Sequence, residues 1–415
     1  MTIDAPPVTA DAIGRAAAVI RENGLRTPQV ESEALSELTG ARVVLKLENL
    51  QPTCSFKVRG ALIKLMSLDA DECRRGVVAV SAGNHAQGVA YHAHRLGIPA
   101  AVVMPKGTPF SKVARTESLG ARVILAGADL SECRQEADAL QAAEGLVFIH
   151  PYDDPRIVTG QGTVGVEMLE EDPDLDCLVI PVGGGGLIAG VATAVKAVRP
   201  QVEIIGVECA FYPSMNQAVR GGSGTPSGGQ TVAEGIAVKE PGTLTRPIVE
   251  ALVDDLVVVN EAALERAIGA FLERQRLAVE GAGAAPLAAM TDAPDRFRDR
   301  RVGVVVSGGN IDSRLLASIL MRGLVRDGRL ARLRVEIHDS PGILARVSGL
   351  IGESGGNIVE VHHRRLFYDV PVKLAEVDVV VETQDATHVR RLMDRLTEAG
   401  FPTRLLSGKA AEDGG

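Results

Sequence analysis

The stretch Cys177-Leu178-Val179-Ile180-Pro181-Val182-Gly183-Gly184-Gly185-Gly186-Leu187 decides the fold. Its first six residues are an unbroken apolar run, the pattern of a short strand buried on both faces. Four glycines follow, and then an apolar helical pattern over 187–198. Four glycines in a row remove every β-carbon, so consecutive N–H groups can curl around an anion at the positive end of the helix. A structural turn needs only one or two, so phosphate binding is the better reading. No Gly-Lys-Ser/Thr follows, which sets a Walker loop aside, and a dinucleotide pattern read here is degenerate.

Working outward, the same strand-then-helix alternation repeats. Apolar, β-branched runs at 43–48, 77–81, 100–105, 122–126, 146–150, 203–208 and 302–307 read as strands. Helical patterns fall between them, for example at 111–119 and 130–143. Alternation of this kind predicts parallel strands joined by right-handed crossovers. Ligands in such folds sit at the carboxyl ends of the strands.

Three more polar segments stand where chemistry is expected. Ser81-Ala82-Gly83-Asn84-His85-Ala86-Gln87-Gly88 follows a strand and opens a helix, so its small residues and first N–H groups suit a carboxylate or phosphate. The plainer reading is an Asn-capped turn, and a lone His85 is often only structural. Ser307-Gly308-Gly309-Asn310 ends another strand; its serine hydroxyl suits a ring nitrogen, or the segment is simply a polar turn. Ser55-Phe56-Lys57-Val58-Arg59-Gly60-Ala61 opens a helix after the turn Gln51-Pro52-Thr53. Taken alone, Lys57 is either a solvated helix-start lysine or an amine that forms an imine with a carbonyl cofactor.

The pattern changes near Asp327-Gly328. From there it reads strand 332–338, helix 344–354, strands 357–364 and 373–383, helix 386–399, strand 401–406, a ferredoxin-like βαββαβ module. The boundary is therefore set at 1–328 and 329–415. The Gly/Ser/Pro-rich stretch 221–229 reads as a surface loop.

Composition agrees with this division. The chain has 415 residues, 46% hydrophobic, with aromatics at 3% and no Trp, so cores are filled by Val, Leu, Ile and Ala. A net charge of −9 offers no basic face to nucleic acid or anionic lipid. Residues 1–25 lack an apolar signal core, with Asp4 and Asp11 where a signal would be basic, and no stretch approaches the roughly 20 apolar residues of a membrane span. Five scattered cysteines without a C-x-x-C pair predict reduced thiols in the cytoplasm.

Taken together in chain order, the four segments resemble the fold-type II pyridoxal-phosphate enzymes (tryptophan synthase β-like, two lobes of parallel sheet), and above all threonine dehydratase, over almost the whole chain. The resemblance implies that Lys57 bears pyridoxal 5'-phosphate and Phe56 packs beside it. It implies that Asn84 bonds the 3-hydroxyl, Gly183, Gly184, Gly185, Gly186 and Leu187 hold phosphate, and Ser307 faces the pyridine nitrogen. Ser81, Ala82, Gly83 and His85 would meet the amino-acid substrate, and a lobe of about 50–150 would be inserted in the larger one. The strings 231–238 and Glu280-Gly281-Ala282-Gly283-Ala284 also look like threonine dehydratase. Serine racemases of this fold use a serine where this chain has Ala82. Three departures stand out: Glu234 where Asp is more usual, Cys54 before Ser55, and Ser214 where a cation site would need an acid. No metal is therefore expected.

The C-terminal module resembles an ACT domain, with Asp339-Ser340-Pro341-Gly342-Ile343-Leu344 and Gly355-Gly356-Asn357-Ile358 as carriers. That implies a branched-chain amino-acid effector such as isoleucine or valine, met by Asp339, Gly342, Ile343, Asn357 and Ile358; the alternative is a module that only dimerises. His362 and His363 lack metal-ligand spacing and read as structural. The expected activity is dehydration and deamination of L-threonine to 2-oxobutanoate, with a side activity on L-serine, in a homodimer or homotetramer. A serine or 3-hydroxyaspartate dehydratase and a non-catalytic sensor are the competing readings. Isoleucine synthesis and threonine catabolism are not distinguished.

Overall fold

The computed structural model describes residues 8–222, 228–364 and 374–406. Of the loop expected at 221–229, residues 223–227 lie outside this range, as do Asp4 and Lys373. The chain divides into two compact units, Met1–Ile311 and Asp312–Gly415.

The first unit holds two sheets. The larger runs in the order Gln29–Glu31, Arg42–Leu47, Arg301–Val306, Cys177–Pro181, Glu203–Cys209, Asp255–Val259. Its first pair is antiparallel and the rest are parallel. The smaller is wholly parallel, in the order Arg122–Leu125, Ala100–Met104, Val77–Val80, Val147–Phe148. The alternating α/β pattern thus forms the parallel sheets expected of it. Cys177–Pro181 and Val77–Val80 lie between neighbours and are buried at every residue, which is why they read as continuous apolar runs. Gln29–Glu31 and Asp255–Val259, the two edge strands of the larger sheet, are not among the strands expected from the sequence.

One helix organises the larger lobe. Pro155–Glu171 is capped by Asp154, whose side chain accepts from the N–H groups of Arg156 and Ile157, and it is buried along most of its length. A β-carbon on its Gly160 would stand 2.6 Å from Gly60 Cα, in the helix Lys57–Leu65. A β-carbon on its Gly162 would stand 2.7 Å from the Gly190 carbonyl, in the helix Gly186–Val198. Only glycine lets these backbones meet so closely.

A charged cluster lies under the same contact. Arg59, Lys46 and Glu48 are each 0% exposed. The Arg59 guanidinium donates to both oxygens of Glu48, each at 2.7 Å, and to Glu167 at 2.6 and 2.8 Å. Lys46 Nζ lies 2.8 Å from Glu167 and donates to the Thr27 carbonyl at 2.7 Å. Two cations offset two anions. Burial opposes the charge on Glu48, but Arg59 outweighs it and holds the carboxyl below its ordinary range.

The second unit begins with the helix Ser313–Arg326. An antiparallel sheet follows in the order Asn357–Arg364, Leu374–Glu382, Leu330–His338, Thr403–Leu405. With the helices Ile343–Glu353 and Ala386–Glu398 it makes the expected βαββαβ order. Leu333, Val335, Val377, Val379, Leu392 and Leu396 form its core. Among the described residues no helix is long and apolar enough to cross a membrane.

Gly190→Ala would drive a methyl into Gly162, with 2.6 Å to its backbone nitrogen. The expected cost is about 1–3 kcal/mol or more, read as a lower Tm in a thermal melt. An unchanged Tm would show that the helix contact carries no such constraint.

Candidate active site

Lys57 is the first residue of the helix Lys57–Leu65. The turn before it is zipped to the loop after the strand Arg301–Val306. Phe56 N–H donates to the Ser307 carbonyl at 3.1 Å, Gly309 N–H donates to the Cys54 carbonyl at 2.9 Å, and Ser55 pairs with Gly308. Cys54 takes a left-handed backbone (φ 55) to make this turn. Two residues into the helix, Arg59 drops into the buried charged cluster, so the lysine is anchored from below.

The Lys57 ammonium donates to the Pro151 carbonyl at 2.8 Å and lies 5.1 Å from the Phe56 ring centroid. Burial pushes its pKa from the ordinary lysine range down to about 8, partly opposed by the charge of Glu280. Its imidazole neighbours stay neutral. Burial lowers His85 to about 3 and His150 to about 4, and the charge of Lys57 adds to both shifts.

The residues after Pro151 tie the lysine to the glycine loop. Tyr152 lays its ring where a β-carbon on Gly184 would have to stand, and its own backbone and Cβ lie within 2.9–3.1 Å of where one on Gly186 would be. Asp153 accepts from the N–H groups of Thr243 and Leu244, each at 2.9 Å, and Thr245 Oγ1 donates to the Gly184 carbonyl at 2.6 Å. Gly185 has φ 91, and a β-carbon there would come within 2.5 Å of Met215 Cε. The loop ends in the helix Gly186–Val198, whose first N–H groups have no acceptor within the helix.

Asn84 opens the helix Asn84–Leu96. Its Nδ2 donates to Glu280 Oε1 at 2.6 Å, and its Oδ1 accepts from Asn310 Nδ2 at 2.6 Å. Ser81, Ala82 and Gly83 remain partly exposed. His85 does not join them, being buried with Nε2 2.9 Å from the Ile149 carbonyl. Ser307 is 2% exposed at the strand end. The structure therefore gathers Lys57, Phe56, Asn84 and Ser307 through one set of loop contacts, with Gly183–Leu187 joined to them through Pro151 and Tyr152.

The sequence reading assigns no role to Tyr152, Asp153 or Glu280, although the string that begins at Glu280 carries part of the resemblance. The signal for Tyr152 and Asp153 is only a turn before a Pro-started helix. Glu208, just before Ser214, where a cation site would need an acid, spends both oxygens on the N–H groups of Met215 and Asn216 at 2.8 Å. Among the described residues no group of three or more His, Cys, Asp or Glu is placed to hold a metal ion.

In the second unit, Gly342 (φ 85) caps the helix Ile343–Glu353, beside the exposed Asp339. Asn357 donates to Glu382 at 3.1 Å, and Ile358 packs on the core. These two groups do not meet. Asn357 is level with Glu382 and so with Leu330, whereas Asp339 and Gly342 follow His338 at the other end of that strand. Eight strand steps separate the two ends, about 26 Å.

Comparison with known proteins gives the family. A family model described as "Pyridoxal-phosphate dependent enzyme" matches residues 20–308, and an ACT-domain model matches 328–399. The chain is 42% identical over 400 residues to an L-threonine ammonia-lyase of Thermotoga maritima, covering 96% of this chain and 100% of that protein. Threonine deaminase isoform 2 of Solanum lycopersicum, in its processed form, superposes with a TM-score of 0.70 at 34% identity, over 76% of this chain and 95% of that one. Maize serine racemase superposes at 0.71 and 34% identity, over 77% of this chain and 99% of its own. The chain belongs to the family of pyridoxal-phosphate dependent enzymes, here with an ACT domain at its C-terminal end.

Proposed function

We propose that this chain is an L-threonine ammonia-lyase that releases 2-oxobutanoate and ammonia and turns over L-serine more slowly. The observation that carries this reading is the Lys57 amine, depressed to about 8 and seated on Pro151 beside Asn84, Ser307 and the glycine loop. The relatives' near-full-length match to threonine ammonia-lyase supports the substrate.

The residues present fit pyridoxal phosphate. A desolvated amine suits the aldehyde, and a helix start fronted by glycines whose β-carbons would collide suits the phosphate. Lys57 and Phe56 would hold the cofactor, Gly183, Gly184, Gly185, Gly186 and Leu187 would take its phosphate, and Asn84 would take its 3-hydroxyl. When bound, the cofactor supplies an electron sink for the charge left at the substrate α-carbon. The neutral Lys57 amine removes the α-proton. Ser307 offers the ring nitrogen a hydroxyl instead of a carboxylate, which favours rapid loss of the β-hydroxyl over transamination. Ser81, Ala82 and Gly83 meet the substrate carboxylate with backbone and hydroxyl groups. His85 contributes through the start of its helix, because its ring is committed to Ile149. Ala82 has no hydroxyl to serve as a second acid on the opposite face, so racemisation is not favoured. The enamine product tautomerises and hydrolyses, and the net change is threonine to 2-oxobutanoate plus ammonia.

The catalytic part is assigned to 1–328 and the ACT part to 329–415, with isoleucine or valine as effector. Asp339, Gly342 and Ile343 lie at the opposite end of the sheet from Asn357 and Ile358. A ligand touching both groups needs two modules side by side, which supports a homodimer or homotetramer. Five free thiols support a cytoplasmic location.

Lys57→Ala is expected to lower 2-oxobutanoate release from L-threonine by roughly 10³-fold or more, measured with added pyridoxal phosphate. No 2-oxo acid from the wild-type chain with threonine or serine would sink the lyase reading. Because the neutral amine captures the aldehyde, cofactor uptake by the stripped protein should rise about tenfold per pH unit and level off near pH 8. A rise that continues towards pH 10 would show an ordinary lysine. Isoleucine or valine should shift the threonine saturation curve, and Gly342→Val should abolish that shift; no response to either amino acid leaves the module as a dimerisation device.

A further inference from the structure

Glu280 has no task in the reaction described above. It stands before the helix Gly281–Asp292, yet its side chain makes no cap bond there and turns into the site. Its own N–H donates to the Gly308 carbonyl at 3.1 Å, and its carboxylate fills the space a β-carbon on Gly308 would need. From that position Oε1 accepts from Asn84 Nδ2 at 2.6 Å.

The amide of Asn84 can be followed atom by atom. The Thr53 carbonyl only accepts, so Asn310 must face it with Nδ2, at 2.8 Å. The same Nδ2 reaches Asn84 Oδ1 at 2.6 Å, which uses the oxygen end of that amide. The nitrogen end then faces Glu280, and an ionised carboxylate takes one of its two N–H groups. One N–H is left, in a direction set from both sides.

We propose that Glu280 is a positioning residue for the cofactor, acting through Asn84: it holds one N–H of the amide so that the other is presented to the 3-hydroxyl. This rests on the reading above that Asn84 meets that hydroxyl. The groups that face Glu280 fit an anchor that is charged near and above neutral pH. Burial raises its carboxyl to about 7, with Glu234 pushing the same way and Asn84, Lys112 and the Asn310 N–H pulling down. Lys57 is also within its field. The bond joins the lobe that carries Asn84 to the lobe that carries Glu280, so a loss there loosens the site without opening either core.

The test is a double-mutant cycle on cofactor affinity, read from the visible absorbance of bound pyridoxal phosphate, with a thermal melt of each variant. Glu280→Ala is expected to weaken binding roughly 10-fold in the wild-type background and by less than about twofold in Asn84→Ala. Glu280→Gln, which keeps an acceptor oxygen, is expected to stay within about threefold of wild type. Equal losses in both backgrounds, or none in either, would overturn the positioning role. A loss in Glu280→Gln as large as in Glu280→Ala would assign the effect to charge and overturn it as well. A wild-type chain that binds no pyridoxal phosphate would sink the underlying reading, and this inference with it. A wild-type chain that binds cofactor normally, with additive variants, would sink the inference alone.

Discussion

The helix Pro155–Glu171 touches backbone to backbone on two sides, and the site depends on both contacts. Gly160 meets Gly60 three residues beyond Lys57, and Gly162 meets Gly190 in the helix that the glycine loop opens. A β-carbon at either contact, 2.6 or 2.7 Å from the facing backbone, would force the two helices apart. The amine and the anion-binding loop are therefore held at one separation by sterics before any ligand arrives. Preorganisation of this kind spares a cofactor the cost of ordering its own site.

The charged cluster under the lysine helix makes that arrangement specific. Arg59, Glu48, Glu167 and Lys46 come from a helix start, the turn after a strand, the central helix and that strand. An apolar core of the same volume could be as stable, since burying charges is expensive. What the cluster adds is direction: the planar Arg59 fork meets two carboxylates at once, so the helix cannot rotate about its axis without stranding a buried charge. Lys57, two residues away, inherits that orientation.

Within the site, charge is kept scarce. Burial holds His85 and His150 neutral and lowers Lys57 itself, so the amine works without cationic neighbours. Polar contacts are made largely by backbone carbonyls and amides: Pro151 to Lys57, Thr53 to Asn310, Ile149 to His85. Such groups have fixed direction and no titration of their own. Glu280, Asp153 and the rim pair Lys112–Glu234, at 2.6 Å, bring charge near the cleft.

The sequence alone determined the parallel α/β class, the βαββαβ module, and the four strand-end segments, because each depends on local pattern. An apolar run or four adjacent glycines has its meaning within a short stretch of chain, whereas Lys57 takes its meaning only beside the other three segments. The edge strands Gln29–Glu31 and Asp255–Val259 are not among the strands read from the sequence, although Leu256-Val257-Val258-Val259 is an apolar, β-branched run. Tertiary structure alone decided what lies across from each segment. Glu280 reaches Asn84 across 196 positions and Arg59 reaches Glu167 across 108. It also set Asp339 and Asn357 at opposite ends of one sheet, although both flank the same helix. Pairings over such separations follow from strand order and helix packing, which no local pattern of residues encodes.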